Sequence, residues 1–320
     1  MLAASCTGDG GGDPSAHSAQ TTTTGAAMPV HESAASGSVT RHAATVDDRL
    51  RTWTTYTPLH DRPDARPMPI VLVIHGTGDT GDGIRGGIGQ DLELLADEHG
   101  FVIAYADGYE HNWNECRTAG DWPAKEDNVD DVGLMRDIVA QLGTDLGENT
   151  VDTDTVFALG FSSGGHMAQR LAFEAPDLVS GIASVNANVA TDDNLACTDI
   201  GQPVPALFMQ GREDPWNPFD GGEVIVGEGV WAESRGTVHS AADSARWFAE
   251  RNGAGDQAEP TRDGYAEITD WPGEHPFRLI AVDHSGHSFP TTTGRWGNDN
   301  GARYDGPDAV WAFFATIFEE

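Results

Sequence analysis

Lysine is all but missing from this chain. Of 18 cationic side chains in 320 residues, Lys125 is the one lysine and arginine supplies the rest, against 51 aspartates and glutamates, for a formal net charge of -33. Long-range repulsion on that scale makes nucleic acid and anionic membrane surfaces poor partners. A surface rich in acid and poor in lysine is tolerated in concentrated salt, where screening over a few ångströms suppresses self-repulsion. Salt adaptation is therefore expected, although a genome that favours arginine and aspartate codons would give the same bias. Long apolar runs are missing too: no stretch approaches the roughly 18 residues that a membrane-crossing helix needs. Neither H-E-x-x-H nor a cysteine–histidine cluster is present, and aspartate-rich loops are ordinary surface in so acidic a chain. No metal and no cofactor are expected.

Cysteine is scarce, with three residues of two kinds. Cys6 follows Met1-Leu2-Ala3-Ala4-Ser5 and precedes Thr7-Gly8-Asp9-Gly10, like the cleavage end of a lipoprotein signal without the charged and apolar stretch that should come first. Cys6 is the candidate lipidation site. In an exported protein the remaining pair, Cys116 and Cys197, is the candidate disulfide. Residues 7 to about 45 lack any sustained apolar period and read as a flexible tether. The expected organisation is a signal remnant and tether over 1–45, and one large α/β catalytic domain over 46–320.

From Arg49 the pattern becomes strand-like through Trp53 and Tyr56. Apolar runs then recur at 70–74, 101–105, 156–159, 182–185, 206–209 and 278–282, mostly separated by helical periods. The clearest helix carries Val132, Met135, Ile138, Val139 and Leu142; others are marked by Leu92, Leu95 and Ala96, by Met167, Leu171 and Ala172, by Ala241, Ala245 and Phe248, and by Val310, Phe313, Phe314 and Ile317. Continuously apolar strands alternating with helices imply a mostly parallel central sheet with helices on both faces. Sites in such sheets lie at the carboxyl ends of the strands.

One of those ends carries G-x-S-x-G, in the run Val156 to Met167 that passes from apolar strand to helical pattern. A serine hydroxyl is a weak nucleophile at its free pKa, and this turn is one way to expose it to a histidine. Side chains at Gly160 or Gly164 would crowd the neighbouring strand or the helix start. With Ser162 as nucleophile, an acid and then a histidine should follow, each just past a strand. Asp214 comes after 206–210, beside Glu213. His287 and His284 both follow 278–282. His287 is preferred because it lies beyond Gly286, before Phe289-Pro290, whereas His284 is still close to the strand. In this constellation the histidine takes the serine proton and returns it to the leaving group, while the carboxylate fixes the tautomer. Two backbone N–H groups, of Ser163 and of Thr77 in His75-Gly76-Thr77-Gly78, are the candidate oxyanion hole. His75 is expected to organise that loop. Trp113, Trp122, Trp216 and Trp296 are candidate stacking surfaces for a ligand.

These pieces together resemble the secreted polyhydroxybutyrate depolymerase and feruloyl esterase family of α/β-hydrolases, which includes lipoproteins. The resemblance runs from about Arg49 to Phe314 through IVLVIHGTGDTG (70–81), YADG (105–108) with Trp113 and Cys116, VDDVGLMRDIV (129–139), GFSSGGHMAQRLA (160–172), DPWNPFDGG (214–222), WFAERNG (247–253) and GHSFP (286–290). It implies an α/β-hydrolase fold, a Ser162–Asp214–His287 triad, and hydrolysis of feruloyl, acetyl-polysaccharide or polyhydroxyalkanoate esters through an acyl-enzyme. The chain departs from the pattern at Phe289, where relatives often have tryptophan, at Ala254, where a cysteine is common, and in the acidic, glycine-rich stretch between Pro218 and Val238. The first and third departures are expected to alter the pocket. The rival readings are a surface-tethered ligand-binding protein that has lost catalysis on the same fold, and a peptidase of the same superfamily.

Overall fold

The computed structural model describes residues 35–59, 66–227, 232–291 and 304–318. Cys6, Trp296 and most of the expected tether lie outside them. The fold begins before residue 46: β1 (Ser38–Val46) pairs antiparallel along its length with β2 (Arg49–Thr57). Its sequence, SVTRHAATV, is exposed over most of its length, so it carries no apolar run to mark it, and backbone pairing to β2 defines it.

After β2 come β3 (Met68–Ile74), α1 (Gly81–His99), β4 (Val102–Ala106), a short α2 (Pro123–Glu126), α3 (Asp131–Leu146), β5 (Val151–Phe161), α4 (Ser163–Glu174), β6 (Gly181–Val185) and β7 (Ala206–Gly211). The chain continues through β8 (Gly222–Val226), β9 (Glu233–Val238), α5 (Ala241–Arg251), β10 (Thr261–Asp263), β11 (Ala266–Trp271), β12 (Phe277–Val282) and α6 (Gly306–Phe318). Ten strands form one sheet in the order β1-β2-β4-β3-β5-β6-β7-β12-β11-β10. The central strands from β4 to β12 run parallel, and antiparallel pairs close both edges.

Alternate side chains of one strand go to opposite faces of a sheet, and both faces here are apolar. Ile70, Leu72 and Ile74 join a cluster with Leu134, Ile138, Leu171 and Phe248 of α3, α4 and α5. Val71 and Val73 join another with Ile84, Ile88, Val310 and Phe314 of α1 and α6. Strands buried on both sides need continuous apolar runs, the pattern seen in the sequence. The acidic stretch after Pro218 is a separate two-stranded hairpin of β8 and β9.

Cys116 and Cys197 are joined, with Cα atoms 4.8 Å apart across a sequence separation of 81. The bond ties the loop after β4 to the loop after β6, which also pair by backbone contacts at Thr118–Asn194 and Ala196–Cys116. A crosslink spanning that much chain restricts the unfolded state and contributes about 2–4 kcal/mol. The double variant Cys116→Ser/Cys197→Ser should therefore lose about that much stability in denaturant titration; an unchanged midpoint would show that the two loops are held by their other contacts alone.

Candidate active site

Strand β5 ends at Phe161 and helix α4 starts at Ser163, so Ser162 makes the whole turn between them. Its φ of 54° and ψ of -120° lie where a residue with a side chain is rarely found. The turn is held on both sides: the Ser162 N–H donates to Val185 O of β6 at 2.8 Å, and its carbonyl accepts from Gly165 and His166 N–H. A Cβ on Gly160 would overlap the carbonyl of Gly164, and one on Gly164 would overlap the carbonyl of Ile74 in β3. Both glycines are thus set by close approach of the helix start to the sheet.

Because β5, β7 and β12 are parallel and near neighbours in the sheet, the residues beyond their carboxyl ends meet. Ser162 Oγ lies 2.8 Å from His287 Nε2, and His287 Nδ1 lies 2.7 Å from Asp214 Oδ2. The other Asp214 oxygen accepts the N–H groups of Trp216 (2.8 Å) and Asn217 (2.9 Å), which fixes the carboxylate from behind. The His287 ring lies between Phe161 and Trp216, with centroid separations of 5.2 and 4.9 Å. The competing pair faces outward: His284 Nδ1 is 3.0 Å from Glu213 Oε1, and the His284 side chain is 59% exposed.

His75 is fully buried; its Nδ1–H donates to Gly76 O at 2.7 Å and its Nε2 accepts from Gly108 N at 2.9 Å. It joins the loops after β3 and β4, and burial pushes its imidazole below the ordinary histidine range. Thr77, on the loop so held, lines a cavity of about 120 Å³ together with Gly76, Ser162, His287, Trp216 and Asn217. Ser163 N is among the first N–H groups of α4, which have no partner within a helix and carry its positive dipole end.

The tryptophans separate. Trp216 is 41% exposed at the cavity. Trp113 is fully buried and its indole N–H donates to His75 O at 2.8 Å, so it packs the loop and offers no face to a ligand. Trp122 is likewise buried, bonded to Trp113 O at 2.6 Å. Phe289 is also fully buried, its ring tilted against that of Phe161, so the departure at this position concerns the core rather than the pocket wall. The hairpin does reach the wall: Val224 and Val226 of β8 line the cavity.

Five polar lining residues escaped the sequence reading as site residues: Asp79, Arg117, His166, Asn186 and Asn217. Asn186 sits just past β6 with φ 51°, accepting Gly211 N–H at 2.8 Å and donating to Ser288 O at 2.8 Å, so it joins the ends of β7 and β12. An asparagine directly after a central strand was the available signal. For His166 it was the spacing, one helical turn beyond Ser162.

Among the described residues no group of His, Cys, Asp and Glu could hold a metal ion, and no helix is long and apolar enough to cross a membrane.

Residues 55–201 match the sequence model of the Esterase PHB depolymerase family. The chain is 36% identical over 167 residues to NocK of Nocardia uniformis subsp. tsuyamanensis, a protein named as an esterase, across 51% of this chain and 46% of that one. It is 28% identical over 252 residues to the poly(3-hydroxybutyrate) depolymerase of Ralstonia pickettii, across 70% of this chain and 49% of that one. The chain thus spans about half the length of these relatives. Among solved structures, acetyl xylan esterase from Aspergillus awamori aligns with a TM-score of 0.51 at 14% identity, over 86% of this chain and 99% of that one. At that identity the likeness speaks for the fold, which is that of the α/β-hydrolases.

His166 is buried, and burial first, then the nearby Arg117 and Lys125, drives its imidazole well below the ordinary histidine range. The folded chain therefore refuses a proton that the unfolded chain takes up at about pH 6.5, so stability is fully present above that pH and declines as pH falls through it. Each such histidine contributes a slope of up to about 1.4 kcal/mol per pH unit. In denaturant titrations from about pH 7 to 5, His166→Gln should flatten this decline; an unaltered slope would assign it to His75 or to other groups.

Proposed function

We propose that the chain is a member of the Esterase PHB depolymerase family, whose sequence model residues 55–201 match, and that it is a serine hydrolase of carboxylic esters, of the feruloyl, acetyl-polysaccharide or polyhydroxyalkanoate type, acting through an acyl-enzyme. The observation that carries this reading is the unbroken line from Ser162 Oγ through His287 to the buried Asp214 carboxylate, at 2.8 and 2.7 Å. In the reaction His287 Nε2 takes the Ser162 proton as Oγ attacks the ester carbonyl. Asp214 holds the ring by Nδ1–H and stabilises the imidazolium. The negative charge on the carbonyl oxygen is met by the N–H groups of Ser163 and Thr77 and by the N-terminal end of α4. His287 then protonates the leaving alcohol, and the reverse sequence with water releases the acid and regenerates the serine.

The same reading puts the protein outside the cytoplasm. A disulfide between Cys116 and Cys197 persists in an oxidising compartment. Cys6 supplies a lipid anchor under this proposal, and the acidic, lysine-poor composition fits a salt-rich surrounding.

Ser162→Ala should abolish ester turnover while leaving the thermal midpoint nearly unchanged, and retained turnover would remove Ser162 from the mechanism. Asp214→Asn should lower kcat by on the order of 10³–10⁴ through the wrong imidazole tautomer, with KM little affected. Thermal midpoint and activity should both rise from low to molar salt. A flat response of both would dismiss salt adaptation.

A further inference from the structure

Strand β8 stands outside the central sheet, yet its alternate residues Val224 and Val226 form part of the wall of the cavity at Ser162. Between and before them Ile225 and Glu223 are exposed, as the alternation of side chains along a strand requires. The hairpin is fixed from behind. Thr237 O of β9 accepts the Thr191 N–H and the Asn194 side-chain amide, both at 3.1 Å, Arg235 O accepts the same amide at 3.0 Å, and the His239 N–H donates to Val189 O at 2.8 Å. These partners belong to the loop after β6 that the Cys116–Cys197 bond ties down. The valines therefore stand on a preformed wall.

The polar lining residues are engaged with protein partners. Asn186 is spent on Gly211 and Ser288. Asn217 donates from Nδ2 to Gln210 Oε1 and accepts the Asn188 N–H, both at 3.2 Å. His166 bonds the Gln169 side chain, and Arg117 donates from Nε to Glu115 Oε1 at 2.9 Å. Asp79, half-buried on the loop that carries Thr77, adds a negative charge that disfavours an anionic acyl group. What remains to meet a neutral acyl chain is the apolar side: Phe161 and Val224, both buried, Val226, half-buried, and Trp216 at the exposed mouth.

We propose that Val224 and Val226 set an upper limit on the acyl group, so that the site takes short acyl esters, from acetyl to hydroxybutyryl in size, and rejects phenylpropenoyl esters. Volume decides this. At about 120 Å³ the cavity is smaller than the roughly 150 Å³ apolar cavity that holds one benzene molecule. A phenylpropenoyl group, a ring carrying a further chain, exceeds it, whereas an acyl group of about two to four carbons fits. The leaving alcohol, which can be part of a polymer, needs the open side at Thr77 and Trp216, and the acyl group retained on Ser162 takes the closed one. This inference rests on the esterase reading and deepens it by naming the acyl class.

The test measures kcat/KM of the full chain in molar salt on p-nitrophenyl acetate, butyrate, octanoate and cinnamate, a series in which the leaving group is constant, with Ser162→Ala as the blank. Octanoate and cinnamate should fall at least about 10-fold below butyrate, the scale on which a fixed pocket discriminates by size. In Val226→Ala and in Val224→Ala the octanoate-to-butyrate ratio should rise by about 10-fold, and in Val226→Phe the butyrate-to-acetate ratio should fall by a similar factor. Val226 is half-buried, so its variants keep the test open where Val224→Ala does not fold, and opposite shifts on widening and narrowing the wall are not what general loosening of the hairpin produces. 4-Methylumbelliferyl acetate, with a bulkier alcohol, should be cleaved within a few-fold of p-nitrophenyl acetate. Serine-dependent hydrolysis of octanoate or cinnamate as fast as butyrate would overturn the size limit and leave the esterase standing. Ratios unmoved in the folded valine variants, or a penalty that follows the alcohol instead of the acyl group, would likewise overturn it. Absence of Ser162-dependent hydrolysis of every ester would remove the esterase reading and the acyl limit with it.

Discussion

The close approach of helix α4 to strands β3 and β5 is the constraint from which the rest of the site follows. A helix start pressed onto two strands leaves no room for a Cβ at Gly160 or Gly164, and it forces the residue between strand and helix into a positive φ that a serine adopts only under compulsion. The return on that strain is geometric. The hydroxyl of Ser162 is lifted beyond the end of the sheet, the N-terminal end of α4 begins at the next residue, and the next turn of that helix brings His166 to the cavity lining. Relaxing the strain with a larger residue at either glycine would move all three at once.

The second constraint is the sheet's parallel order. Nothing in the local sequence near Asp214 or His287 brings them to Ser162. They meet because β5, β6, β7 and β12 stand side by side with their carboxyl ends together. Asn186 then fixes the distance, its side chain bonding Gly211 at the end of β7 and Ser288 beyond β12. The same geometry separates two adjacent acid–histidine pairs that sequence leaves nearly equivalent. Asp214 and His287 turn inward, with the carboxylate accepting two backbone N–H groups, while Glu213 and His284 turn outward and meet at the surface.

Legibility in the sequence followed burial. Strands such as Ile70–Ile74 and Ala206–Met209 are apolar on both faces, and that double burial marks them as central and parallel from residue types alone. β1 and the β8–β9 hairpin are only partly buried, and their pairing lies in the backbone, which composition does not report. The stretch after Pro218 therefore reads in sequence as an acidic loop, although alternate residues Val224 and Val226 reach the cavity. Trp113 misleads for a related reason. Residue type says that an indole can stack on a ligand, but only the fold shows that its N–H is spent on His75 and its ring is enclosed. Arg117 and His166 belong to the same class, since a polar side chain on a loop or helix does not announce in sequence that it will be buried.

The charge pattern joins the cavity floor to the rest of the chain. In a protein with 51 acidic side chains, cations are placed where a fixed partner awaits them, with Arg51 on the buried Asp131, Arg117 on Glu115 and Arg251 on Asp199. The one lysine follows this rule. Lys125 donates to the carbonyls of Glu115 and Arg117 and lies over Trp122, with Arg117 and Arg235 on the same ring. The disulfide at Cys116 anchors the neighbouring residue to the loop after β6. Crosslink, lysine and indole thus converge on one short segment, and what they hold in place is the backbone that carries Arg117 into the cavity. A loop secured by so many independent contacts next to the nucleophile presents a preorganised polar end instead of one that must be ordered by the ligand, which is where binding energy is otherwise lost.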